Sequence, residues 1–148
     1  MLRRTACGTL LCALAALAGA CSTTTPTTAT TTTPVLTTEA FSGLLNPASS
    51  ATLAFVTQTG GTVTATLTAI GPDATQTVGF SLGTYNPSVN VCTVVFDNSA
   101  ALPAAVFTAN ASTTGSYCVR MYDNGSVTAA AAAGTATAFT YTVTVTHP

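Results

Sequence analysis

From Phe139 to Thr146 the chain alternates without a break: Phe139, Tyr141, Val143 and Val145 are interleaved with Thr140, Thr142, Thr144 and Thr146. A period of two puts every second side chain on the same face of an extended chain. Such a segment buries its aromatic and β-branched residues only as a strand with one wet face. The same period recurs at Ala51, Leu53 and Phe55, and at Val63, Ala65 and Leu67, which are set between Thr62, Thr64, Thr66 and Thr68. It recurs again at Val78, Phe80 and Leu82, at Cys92, Val94 and Phe96, and at Tyr117, Val119 and Met121. Turn formers separate these runs: Asn46-Pro47, Gly60-Gly61, Gly71-Pro72-Asp73, Asn86-Pro87, Asp97-Asn98 and Asp123-Asn124-Gly125. About eight short strands and no long helical period predict an all-β fold. Two antiparallel sheets packed face to face, a jelly-roll-like β-sandwich, is the favoured architecture. The Ala129–Ala133 run is too short to nucleate a helix alone and is expected to form a surface turn or insertion before the last strand.

The first 38 residues follow different rules. Residues 1–20 combine Arg3 and Arg4, an apolar core from Leu10 to Leu17, and the small residues Ala18-Gly19-Ala20. That is the layout of a secretory signal peptide. Leu17-Ala18-Gly19-Ala20-Cys21 resembles the lipobox of bacterial lipoproteins, with Ala18 where Leu is commoner. The resemblance implies cleavage before Cys21 and acylation of its thiol and new amino group. Acyl chains contribute about 0.8 kcal/mol per buried methylene, so several anchor a protein stably in a membrane. Ser22 follows the cysteine, and by the same resemblance a residue other than Asp there favours the outer membrane. The alternative is an ordinary signal peptide and a secreted product. Residues 21–38 then form the lipidated cysteine and a disordered linker, with Thr at 11 of the 17 positions from Ser22 to Thr38 and breaks at Pro26 and Pro34. Residues 39–148 remain for the sandwich.

Charge narrows the function. Arg120 is the one fixed cation after residue 20, against Glu39, Asp73, Asp97 and Asp123. One arginine cannot displace counterions from a nucleic-acid backbone, which excludes that class of partner. It is expected to pair with a carboxylate or to cross to a neighbouring strand. The only histidine, His147, is penultimate, where chain ends fray, and the acidic residues read as turn formers. Nothing here assembles a nucleophile with its base or a pair of catalytic carboxylates. The chain is therefore expected to be a non-enzymatic module without a cofactor. Asp97-Asn98 and Asp123-Asn124 are weak calcium candidates, since their oxygens are of the kind that ion takes. Tyr85, Tyr117, Tyr122 and Tyr141 are the residues from which a sugar-stacking platform would be built.

Of five cysteines, Cys7 and Cys12 lie in the signal peptide and Cys21 is the acyl site. Cys92 and Cys118 remain, each within a strand, and export to an oxidising compartment predicts that they are bridged. Zinc would need a further paired set of ligands, which is missing.

The segment Gly115-Ser116-Tyr117-Cys118-Val119-Arg120-Met121-Tyr122-Asp123-Asn124-Gly125, with the Phe139–Val145 strand after it, resembles the C-terminal half of bacterial pre-peptidase C-terminal domains. Glu39-Ala40-Phe41-Ser42-Gly43 and Leu53-Ala54-Phe55 resemble their opening. The resemblance implies a jelly-roll accessory module. Its partner would be a protein or glycan, reached from the membrane through the lipid anchor. A structural surface protein that associates with itself through neutral strands is the alternative.

Overall fold

The computed structural model describes residues 33–148. The signal peptide, Cys21 and the linker up to residue 32 lie outside the described residues. Eight strands and one short helix follow in the order β1 (Thr37–Leu45), β2 (Ser50–Thr57), β3 (Gly61–Gly71), β4 (Val78–Asn86), β5 (Val91–Ala101), β6 (Val106–Ala111), β7 (Gly115–Tyr122), α1 (Ser126–Ala132) and β8 (Phe139–His147). They form two four-stranded antiparallel sheets, ordered β1-β8-β3-β6 and β2-β7-β4-β5. The order comes from one long antiparallel ribbon. Strands pair β1 with β8, β2 with β7, β3 with β6 and β4 with β5. Rolling that ribbon so that β8 meets β3 and β7 meets β4 gives the jelly roll.

The alternation read from the sequence sets which face is dry. Val63, Ala65 and Leu67 of β3 and Phe139, Tyr141, Val143 and Val145 of β8 are all buried, and they meet Phe55, Phe80, Leu82, Val119 and Met121 of the other sheet. A bulge in β3 lies between Leu67 and Ala69. It turns Thr68 outward, where its hydroxyl donates to the Thr142 carbonyl at 3.0 Å. One extra residue reverses the parity, which is why Ile70 returns to the core.

Three expectations are corrected in full, and a fourth, on Arg120, in its carboxylate pairing. Asp97 and Asn98 do not form a turn; they lie inside β5, which continues to Ala101, and the chain reverses at Leu102–Ala105, where Ala104 has φ 74°. The alanine run is helical, because Asp123 supplies what its length does not. Its carboxylate accepts from the amides of Gly125 (2.8 Å), Val127 (3.0 Å) and Thr128 (3.2 Å) and from the Thr128 hydroxyl. These bonds satisfy amides that the first helical turn leaves free. His147 does not fray. It is 3% exposed, pairs with Thr37 in β8·β1, lies 5.2 Å from the Phe55 ring and places Nε2 2.9 Å from Glu39 Oε1. Arg120 has no carboxylate within salt-bridge distance among the described residues; its guanidinium sits 5.3 Å from the centre of the Tyr122 ring.

Candidate functional site

β5 closes one side of its sheet and β6 the same side of the other. A run of β5 there, Val94-Val95-Phe96, is exposed on both faces, with Val95 at 62% and Phe96 at 40%. The cause lies at Gly83 of β4. The register of β4 against β5 shifts between Leu82 and Gly83, and the β5 backbone crosses so close that a Cβ on Gly83 would lie 2.1 Å from the Thr93 carbonyl oxygen. Only glycine admits that approach. The disulfide lies beside it: Cys92 of β5 and Cys118 of β7 are bonded, with Cα atoms 5.9 Å apart. β5 and β7 flank β4, and Cys118 stands opposite Gly83, so the bridge straps β5 across the middle strand.

Drawing β5 aside leaves a gap between the sheets. It has a volume of about 330 Å³ and is lined by Val63, Leu82, Val95, Phe96, Ala109 and Tyr117, with Thr84, Asn110 and Ser112 supplying polar atoms. Phe107 stacks on Phe96 at 6.0 Å and on Phe80 at 5.0 Å, which ties the mouth to the core. Among the described residues no carboxylate, histidine or cysteine lines this cleft. What it offers is an apolar recess with a few convergent polar groups, the ordinary character of a binding pocket.

The residues singled out from sequence lie elsewhere. Asp97 and Tyr122 meet on the outer face of the β5 sheet, where the Tyr122 hydroxyl donates to Asp97 Oδ1 at 3.1 Å and Oδ2 at 3.0 Å, and the Ser81 hydroxyl donates to Oδ1 at 2.7 Å. Burial, and then the Asp97 carboxylate, push the Tyr122 phenol above its ordinary pKa. Asn98 Oδ1 accepts the Ala100 amide at 3.1 Å. Asn124 ties its turn to β5 by donating to the Ser99 carbonyl at 2.7 Å, while its own Oδ1 accepts from the Ser126 amide. The side-chain oxygens of Asp97, Asn98, Asp123 and Asn124 all accept from N–H or O–H groups. Among the described residues no three His, Cys, Asp or Glu side chains cluster as a metal site. The four tyrosines make no common platform. Tyr141 is buried in the core, Tyr117 packs beside it, Tyr122 lies over Gly79, and Tyr85 donates to Asn90.

No protein-family model matches this chain, and no curated protein matches it.

Proposed function

We propose that this protein is a non-enzymatic binding module tethered to the bacterial envelope, and that the cleft between β5 and β6 receives an apolar side chain of a protein partner. The cleft carries the reading: it is concave, apolar and bordered by β5, a free edge whose backbone can pair with an extended segment. A glycan would want several exposed aromatic faces together, and Tyr117, Tyr122 and Tyr141 are spent on packing. The tether is read from the sequence alone, with Cys21 acylated and the Thr/Pro linker holding the domain off an outer-membrane surface. The jelly-roll order is the one that a pre-peptidase C-terminal accessory domain would have, which supports an accessory role.

Two measurements test this. Intact mass of the protein purified from membranes should carry acyl chains at Cys21, and Cys21→Ala should move it to the soluble fraction; an unmodified soluble protein overturns the anchor. Titration with an anilinonaphthalene sulfonate dye should give a fluorescence enhancement that Ala109→Phe, which fills the cleft, removes; equal enhancement in both overturns the cleft. A second reading follows from the eleven residues of β5, which carry no Lys or Pro to guard the edge. Edge-to-edge dimers would appear by light scattering and vanish in Val95→Lys.

A further inference from the structure

The outer face of the β1-β8-β3-β6 sheet belongs to neither the cleft nor the tether. The strand registers place Thr38 opposite Thr146, Thr146 opposite Thr64, and Thr64 opposite Thr108. Four threonines therefore stand in one line that crosses all four strands. The next line, two residues along, holds Thr144 opposite Thr66 at its centre, and the one after holds Ser42 opposite Thr142. On the other side of the first line, Thr62 faces Asn110.

This is a two-dimensional array of hydroxyls on a rigid backbone. Its repeats are set by the sheet, about 6.8 Å along a strand and about 4.8 Å between strands. The side chains are β-branched, so each has a restricted χ1 and holds its hydroxyl in place. At the β1 margin the hydroxyls bond to one another, Thr38 to Thr146 at 3.1 Å and Ser42 to Thr142 at 3.0 Å. At the centre, Thr64, Thr66 and Thr144 are partly exposed. The positions directed outward on this face, in all four strands, include no Asp, Glu, Lys, Arg or His. A charged polymer finds nothing to pair with here. The partner that fits is neutral, periodic in two directions and made of hydrogen-bonding groups.

We infer that this threonine face binds ice, ordering water on its hydroxyl rows in register with the oxygen lattice of a prism plane, whose two repeats are close to those of the sheet. Sheets twist by about 20° to 25° per strand, so the matched patch is the central pair of strands, Thr64 and Thr66 on β3 with Thr144 and Thr146 on β8. Threonine suits the task because its methyl sheds disordered water while its hydroxyl joins the ordered layer.

The test is ice-affinity partition of the fluorescently labelled full chain during slow freezing, together with the gap between melting and growth temperatures of a single ice crystal. The full chain should concentrate in the ice and open a measurable gap. Thr66→Lys and Thr144→Lys, each placing a charge at the centre of the patch, should be excluded from ice and close the gap. Thr52→Lys, exposed on the outer face of the opposite sheet, should partition as the parent does. Circular dichroism melting of each variant shows that the fold is kept, and either central variant suffices if the other does not fold. Exclusion of the parent chain from ice overturns the inference. So does equal loss in Thr52→Lys, or retention on an insoluble neutral polysaccharide without partition into ice.

Discussion

Asp123 is the residue through which the turn before β2 and the start of α1 are joined. Its Oδ1 accepts from Gly125 and Val127, and its Oδ2 from the Thr128 amide and hydroxyl and from the Ala48 amide at 2.9 Å. Ala48 has φ 54°, a conformation that alanine leaves readily unless something holds it. Asp123→Ala removes every one of these acceptors. Loss of a helix-start acceptor costs about 1 kcal/mol, and the freed amides regain water only in part, so the total should be about 2 kcal/mol. For a domain of this size that lowers the melting temperature by about 8 °C. Asp123→Asn keeps one oxygen, and should cost about half as much. The charge gives a second handle. Burial raises the Asp123 pKa, but the Thr128 hydroxyl and the amides of Ala48, Gly125 and Val127 outweigh it and hold it below the ordinary value. A depressed carboxylate contributes stability above its unfolded pKa, near pH 4, and that contribution is lost as pH falls through the folded value. Urea unfolding of parent and Asp123→Ala at neutral pH and again near pH 2 should show the difference between them shrinking in acid. A cost that is the same at both pH values, or negligible at neutral pH, refutes the assignment of Asp123 as an ionised cap.

Gly83→Ala has no room beside the Thr93 carbonyl and should cost more than about 2 kcal/mol and leave thiols reactive in the folded protein. Gly79→Ala meets only the Tyr122 ring, which can swing away, so it should cost less and sever the Tyr122–Asp97 bond, read as a downward move of the Tyr122 phenol titration by ultraviolet absorbance. Reducing Cys92–Cys118, 26 residues apart in sequence, should lower stability by about 3 kcal/mol, and two thiols should appear on reduction of the denatured domain where none reacted before. His147→Ala removes a buried ring from Phe55 and the partner of Glu39, and should cost about 2 kcal/mol by thermal melting; an unchanged melting temperature would return His147 to a frayed end.

Where the sequence is legible, the reason is the steepness of the alternation. β3 and β8 carry Thr at nearly every wet position and an apolar residue at every dry one but His147, so the period identifies both strand and face. β1 and β6 are harder to read, because their inward positions include Glu39 and Gly43, or Ala109 and Ala111, which make no hydrophobic signal. The disulfide follows from the two cysteines, Cys92 and Cys118, that fall within the strand-forming part of the chain. The strap that it makes over Gly83 does not, since it depends on β5 and β7 flanking one strand. The cleft is invisible for the same reason: Val63, Leu82, Val95 and Ala109 meet only after the ribbon has rolled up. His147 reads as idle in the sequence because its partner, Glu39, lies at the other end of the domain.

The zipper between Thr37 and His147 has a mechanical meaning. Any tension that reaches the domain through residue 36 enters at Thr37, on a strand that among the described residues is bonded to β8 alone. β1 is then the first element to carry load, and the Glu39–His147 clasp guards its entry. Should the clasp open, β1 can peel from β8 and release about 30 Å of chain. The remainder of the sandwich, strapped between β5 and β7 by a covalent bond, would keep its shape. Load applied through residue 36 would therefore lengthen the chain at β1 before it disturbed the cleft beside β5.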